Sequence, residues 1–575
     1  MPLSPSTKRL VGKVAATEKQ PSTIDEFYFW TREDFILNPF DVVVVRHVND
    51  SLTYGVVEEI SHVTDSGSFL ADFISNDFGD LDCAPTNTLR IGMNYAKARV
   101  VGNTKDVYIP VRNGSPVSLG TAEEVCDALG LRQNEQNGVV CGCLEMYGSS
   151  DANRVELPVY LNPDFLVGPE GAHLNISGIS GLASKTSYAM FLLNALQQAS
   201  LQERLEQSVA YIVLNVKGRD LLTLDRPAPD LPDDARNVYK TLGLDLKPFQ
   251  QVKYFYPNGG ERNPWIGTYG RPEVVREQVE AGQAFRYQYV FNEDKENLEL
   301  LFSNVDDPQS TIESIVHFIL NEEGPFEAEK ANKVDNWEAL LKKVDEMCAS
   351  GRKDHKEISV MSWRKFKRIL HKSIEKNPLF TRYIESSKQE IRLEDAIKKI
   401  QKDDVYVVDV AKQDENMQAF VFGSVMQAAQ KLKLGGFDEE LSEEARKSIP
   451  DRIVIFVDEL NKYASSDSPK NSAILRLLLD IAERGRSLGI VLFSAEQFKS
   501  AIHKRVVGNC STHAYGRTNA IEIADKAYSF VPATFKNMMT RLKQGEYIVQ
   551  NPIFNSMLKI KFPRPLYEQD KGATK

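Results

Sequence analysis

Between two apolar runs the sequence reads ISGISGLASKTSYAM, Ile176 to Met190, a glycine- and serine-rich turn followed by Lys-Thr-Ser. Strand, glycine loop and helix in that order form a phosphate cradle. Main-chain N–H groups and the helix dipole both favour negative charge at the helix start. Lys185 would reach the terminal phosphates of a nucleoside triphosphate, Thr186 would place its hydroxyl on Mg²⁺, and Ser187 supplies a second hydroxyl. The usual spacing is G-x-x-x-x-G-K-[ST]. Here five residues separate Gly178 from the residue before the lysine, and that residue is Ser184. The extra residue requires a bulge near Leu182 or Ala183. A side chain in a left-handed position costs ~1–2 kcal/mol, whereas glycine adopts it freely. The expected cradle is Gly178 with Ser180, Gly181, Leu182, Ala183, Ser184, Lys185, Thr186 and Ser187. The competing reading is a strand-to-helix turn with a solvated lysine.

Three further stretches could complete the chemistry. In RIVIFVDELNKY an apolar run ends in Asp458-Glu459. An acid at the tip of a parallel strand faces the ligand crevice, so Asp458 would hold Mg²⁺ through water and Glu459 would polarise an attacking water. On the alternative reading, the pair merely ends a strand. GIVLFSAEQ ends another strand, and Gln497 there could touch the γ-phosphate or its water. In NCSTHAYGRTN, Arg517 could stabilise charge on a transferred phosphoryl group, or simply lie on the surface. Arg484 and Arg486 are candidates for completing a neighbouring subunit's site or for intersubunit ion pairs. Between Arg352 and Lys376 basic residues interleave with Trp363 and Phe366, a pattern for nucleic acid or for one face of an amphipathic helix.

These residues need a scaffold, and the apolar runs indicate one. AYIVL at 210–214, VYVVDV at 405–410, IVIFV at 453–457 and GIVLF at 489–493 are β-branched strands separated by helical patterns. That reads as an α/β fold with a parallel sheet. DVVVVRHV and YGVVEEISHV near the start are short strands at close spacing, which suggests a small barrel. Residues 271–400 are charged and mostly helical in pattern. The expected organisation is an N-terminal barrel and linker at 1–165, a parallel-sheet core in two parts at 166–270 and 401–575, and a helical insertion at 271–400. The core's second part closes in a β segment.

Composition excludes other classes. Six scattered cysteines in a chain of 575 residues do not make a disulfide framework, and Cys141-Gly-Cys143 lacks a metal spacing. A net charge of −10 is not that of a typical sequence-specific DNA reader, although it leaves open a basic channel inside an assembly. No charged leader with an apolar segment opens the chain, and no apolar run approaches the ~20 residues of a spanning helix. The expectation is a soluble, cytoplasmic protein with no membrane partner.

The order of these motifs resembles the HerA branch of the HerA/FtsK ATPase superfamily. VGKVAAT, DVVVV and YGVVEEI look like its N-terminal barrel, and LPVYLNPDFLVGPEGAHLNISGISG like its approach to the phosphate loop. VDELNKYA, IAERGRSLGIVLFSAEQ and NCSTHAYGRTN resemble its acid strand, the run into A-T-Q and the strand after it. LKQGEYIVQNPIFNSMLKIKFPRP resembles its closing β segment. The fit is best to bacterial HerA proteins that accompany a sirtuin-like or nuclease effector in anti-phage defence. The resemblance implies a homo-hexameric ring of RecA-like cores, with ATP and Mg²⁺ at subunit interfaces and duplex DNA in a central channel. By position, Lys185 and Thr186 match its Walker A pair, Asp458 and Glu459 its Walker B pair, and Gln497 its sensor. Arg517 matches the later strand's arginine, while the trans-acting arginine finger has no matching position. Asn215 stands where a strand-end acid belongs. The function implied is ATP-dependent DNA translocation with an effector enzyme. The alternative is an ATP-binding ring scaffold that activates a partner NADase or nuclease without translocating. A metabolic P-loop kinase is disfavoured because no acceptor-substrate motif is evident.

Overall fold

The computed structural model describes residues 10–32, 34–75, 78, 92–132, 137–148, 153–179, 185–327, 333–349 and 358–570. Ser180, Gly181, Leu182, Ala183 and Ser184 lie outside the described residues, as do Arg352, Lys353 and Lys356. The fold is mixed α/β and divides into two units.

The smaller unit comprises 1–135, 142–160 and 519–562. Its first part is a closed six-stranded barrel. Around the barrel run Leu10–Val14, Glu26–Thr31, Gly92–Asn103, Leu52–Thr64, Val42–Arg46 and Pro116–Leu119, all antiparallel. Alternation sets the interior: Phe27, Phe29 and Thr31 on one strand are buried while their neighbours are not. Gly12 is required by close approach, since a Cβ there would meet the Trp30 carbonyl oxygen at 1.8 Å. Val42–Arg46 is covered on its outer side too, where the Tyr147 hydroxyl donates to the Val42 carbonyl at 2.6 Å. Glu546–Gln550 and Leu558–Lys561 form an antiparallel pair in the same unit.

The larger unit comprises 136–141, 161–518 and 563–575. Its sheet runs in the order Glu390–Ile391, Ala284–Tyr287, Val252–Pro257, Val405–Asp409, Val209–Asn215, Arg452–Asp458, Ile490–Glu496, Leu174–Ser177 and Thr512–Tyr515. Every pairing among these strands is parallel. The central strands are buried along their whole length because both faces are covered. The helix Lys185–Leu201 is buried on nearly every side, as its lack of a polar stripe requires. Glu415–Lys433 and Ala473–Leu488 cover further parts of the sheet.

The stretch expected as a helical insertion is only partly helical, because Ala284–Tyr287 and Glu390–Ile391 within it extend the parallel sheet. Both strands are too short to stand out in a charged sequence. The basic, aromatic stretch is the helix Val360–Ile374, and its aromatics belong to the core. Trp363 and Phe366 are both 0% exposed, and Phe366 stacks on Phe302 at 4.5 Å. They present no face to a base. Lys365 and Lys367 are tied to the Asp306 carbonyl at 2.6 Å and to Asp345 at 2.9 Å. No helix among the described residues is long and apolar enough to cross a membrane.

If Trp363 is a core residue, Trp363→Ala lowers the urea unfolding free energy by ~3–5 kcal/mol. Arg364→Ala, on the exposed side of the same helix, changes it by less than ~0.5 kcal/mol. Equal effects of the two would contradict this packing.

Candidate phosphate-binding site

Parallel strands bring their carboxyl ends to one edge, and here that edge is polar. Asp409, Asn215, Asp458, Glu496, Ser177 and Tyr515 are the last residues of six strands that neighbour one another in the sheet. All are at most 3% exposed. Several of their oxygens have no hydrogen-bond partner: Asp409 Oδ2, Asn215 Oδ1, Asp458 Oδ1, Glu496 Oε2 and Ser177 Oγ. Buried polar atoms are almost always satisfied. A row of unsatisfied acceptors at one edge is the signature of a site that receives cations and donors.

The loop that leaves Ser177 is clamped from both sides. The Gly178 N–H donates to the Glu496 carbonyl at 3.1 Å and the Ile179 N–H to the Arg517 carbonyl at 2.7 Å. A Cβ on Gly178 would lie 3.2 Å from that Arg517 oxygen, so this position needs a glycine for space. The helix then opens at Lys185, which is 3% exposed. Burial pulls the Lys185 ammonium below its usual range, and the charge of Asp458 opposes the shift. The Thr186 hydroxyl donates to Asp458 Oδ2 at 3.1 Å. Lysine, hydroxyl and acid therefore meet although they stand more than two hundred residues apart in the chain.

The acid strand is not adjacent to the loop strand. Ile490–Glu496 lies between them. The acids reach the site because Glu459 turns sharply as the strand ends. It sits at φ 59° and ψ 48°, and its N–H donates to the Ala495 carbonyl at 2.6 Å. A non-glycine residue held left-handed costs ~1–2 kcal/mol, a type of strain that concentrates at functional sites. Two lysines hold its carboxylate: Lys217 Nζ at 2.8 Å and Lys462 Nζ at 2.9 Å. Burial alone would raise this carboxyl, but the lysines outweigh it and bring it down to about 2. Lys217 also lies 3.3 Å from Asp458 Oδ2.

These residues fit Mg²⁺. The ion takes hard oxygen ligands, and it is typically held by one or two protein groups plus phosphates and water. Thr186 Oγ1 and Asp458, whose Oδ1 is buried and unpartnered, supply that set.

Three residues at this edge were not singled out from sequence. The strand end falls at Glu496, so the edge position belongs to it and Gln497 lies one residue beyond, half-buried. The Glu496 carboxylate accepts from Asn175 Nδ2, which also donates to Ser494 Oγ at 3.2 Å. Burial pushes Glu496 up to about 8. The acid missing at Asn215 is supplied by its neighbour: Asn215 Nδ2 donates to Asp409 Oδ1 at 2.8 Å, and burial pushes Asp409 up to about 6. Lys217 is the third, and its partners are visible only in three dimensions.

Arg517 is half-buried and meets the loop through its backbone. Ser187 Oγ accepts from Gln569 Nε2 at 2.8 Å. Arg484 and Arg486 lie at the end of the helix that precedes Ile490, hence at the amino edge of the sheet, opposite the site. Arg484 pairs with Asp480 at 3.0 Å, and Arg486 donates to the Glu170 carbonyl at 3.2 Å.

The larger unit is thus a parallel-sheet α/β unit with a lysine, a hydroxyl and an acid pair converging at the carboxyl edge. No family model matches the chain, and no curated protein matches it. Solved structures that resemble it include the bacterial conjugative coupling protein TrwB in complex with a non-hydrolysable ATP analogue. That likeness is 10% identical over 77% of this chain and 92% of TrwB, with a TM-score of 0.44. Another is the genome-packaging NTPase B204 from Sulfolobus turreted icosahedral virus 2 with ATP-γS. It is 16% identical over 30% of this chain and 72% of B204, with a TM-score of 0.22.

Glu496 makes stability depend on pH. Its folded value of about 8 stands above the ordinary 4.5. Between these values the folded state keeps a proton that the unfolded state has released. Stability from this group is therefore complete below 4.5 and is lost as pH rises through about 8. Glu496→Gln removes the dependence, so its unfolding free energy gains on the wild type between about pH 5 and pH 8.5 in urea titrations. A pH-independent difference would contradict the burial of this carboxyl.

Proposed function

We propose that the chain is a Mg²⁺-dependent ATPase whose nucleotide lies against the carboxyl edge of the parallel sheet. The observation that carries this reading is the Thr186–Asp458 hydrogen bond at 3.1 Å, with buried Lys185 opening the same helix. When bound, Mg²⁺ neutralises charge on the terminal phosphates. Lys185 neutralises more of it, and the start of the helix Lys185–Leu201 contributes main-chain N–H groups. Thr186 and Asp458 hold the metal, and Glu459 orients the attacking water for in-line displacement. Glu496 sits with Asn175 at the tip of the strand between loop and acids. Gln497, which follows it, is the proposed reporter on the γ-phosphate. Arg517 is the proposed stabiliser of charge on the transferred group.

The resemblance of the motif order to HerA proteins supports a finer reading. On it the chain forms a homo-hexameric ring, passes duplex DNA through its channel, and assembles with a sirtuin-like or nuclease effector in anti-phage defence. One observation favours a second reading, a ring that binds ATP as a structural signal and turns it over slowly. The phosphate loop carries one residue more than the usual spacing and Ser184 in place of its last glycine, which favours holding nucleotide over turning it over fast.

The test is ATP hydrolysis with and without duplex DNA, together with the mass in solution. Lys185→Ala abolishes nucleotide binding. Glu459→Gln retains binding but lowers kcat by ~10²–10⁴-fold. EDTA removes activity in the wild type. DNA-stimulated turnover that falls steeply with salt supports the motor. An effector equally active with Lys185→Ala rings supports the scaffold. A monomer whose nucleotide binding is unaffected by Lys185→Ala would overturn both.

A further inference from the structure

A second feature of the larger unit is not used by the triphosphate site. A cavity of about 610 Å³ is lined by Arg219, Arg271, Arg276 and Lys412 together with the rings of Trp265 and Tyr269. Among the described residues no carboxylate belongs to its lining. Its volume is that of a small-ligand site. Thr268 lines it too.

We propose that this cavity binds a nucleotide unit, a phosphate beside a flat base, and that the chain's own residues Glu568 and Asp570 compete for it. Cations and rings are both in place. Trp265 is fixed edge-on against Tyr256 at 5.9 Å, and Lys412 Nζ lies 4.9 Å from the Tyr269 ring centre. Tyr269 is 40% exposed, which leaves its ring accessible for stacking. The nine-residue helix Pro272–Glu280 begins at the cavity wall, and Arg271 caps it without a side-chain cap bond. Its first-turn N–H groups add to the positive field.

The independent observation is that these cations already hold anions. Arg271 pairs with Glu568 at 2.7 Å and with Asp570 at 3.0 Å, and Arg219 pairs with Asp570 at 2.9 Å. The acidic segment is pinned there by its backbone. The Glu568 N–H donates to the Arg226 carbonyl, and the Thr223 hydroxyl to the Glu568 carbonyl, each at 2.8 Å. Among the described residues Arg276 and Lys412 make no ion pair; Lys412 Nζ donates to the Ile266 carbonyl at 3.0 Å, and both cations keep donors for a phosphate. A phosphate dianion offers an arginine fork more charge and more acceptors than one carboxylate does. It therefore displaces the acids when a base can stack at the same time.

The test is fluorescence anisotropy of a labelled, 5′-phosphorylated dT trinucleotide in EDTA, which removes Mg²⁺-dependent triphosphate binding. Its outcome is therefore independent of the ATPase reading. The Arg276→Glu, Lys412→Glu double variant is expected to weaken binding by about tenfold or more, and Glu568→Gln with Asp570→Asn to tighten it by about tenfold. Competition by AMP as strong as by unlabelled trinucleotide assigns the site to free nucleotides. Competition by the trinucleotide alone assigns it to single strands, and either result supports the proposal. Inorganic phosphate displacing the probe equally well would overturn the role of the rings. Affinity unchanged in both double variants would overturn the site itself.

Discussion

The larger unit depends on one electrostatic constraint. A parallel sheet covered on both faces offers its carboxyl edge as the place where polar side chains can converge, yet burying charge there is costly. The chain meets this cost by mixing signs. Lys185 and Lys217 stand among Asp458, Glu459 and Glu496, and Asn175 and Asn215 donate to the carboxylates of Glu496 and Asp409. The arrangement is left incomplete, with buried oxygens lacking partners along the edge. Buried polar atoms are almost always satisfied, so these open oxygens mark the edge as a candidate site for a ligand.

The same constraint separates the acids into two kinds. Glu459 lies between two lysines and is held ionised, whereas Glu496 and Asp409 are buried and pushed towards neutrality. Carboxyls within one row thus differ by several units in acidity, and their surroundings set the difference. A neutral Glu496 beside Asn175 can donate as well as accept, a capacity that a glutamine would share. The strained backbone at Glu459 adds a geometric element: it diverts the chain as the strand ends, directly after Asp458.

Much of this was legible in the sequence, for identifiable reasons. Unbroken β-branched runs such as IVIFV announce strands covered on both sides, and Asp458-Glu459 stands out because it ends such a run. The short β-rich runs DVVVV and YGVVEEI at close spacing announce the barrel. Strand order was not legible, because parallel crossovers do not record which strand will lie between two others. The Ile490–Glu496 strand therefore came as a finding. So did the exact strand end: Glu496 and Gln497 are both polar, and a one-residue shift exchanges which of them faces the site. Lys217 follows a strand as an ordinary exposed lysine would, and only the fold brings it to Glu459. Trp363 and Phe366 were ambiguous because an amphipathic helix with basic residues outside has the same composition as a nucleic-acid surface.

The chain changes unit five times, at 135/136, 141/142, 160/161, 518/519 and 562/563. Residues 563–570 return to the larger unit only after 519–562 have been spent on the smaller one, and they bring the partners of Thr223, Arg219, Arg271 and Ser187. During synthesis the larger unit therefore waits for residues 563–570, which are made only after the whole of 519–562. A single protease cut in a connecting stretch would not part the two units, because each returns to the other elsewhere in the chain.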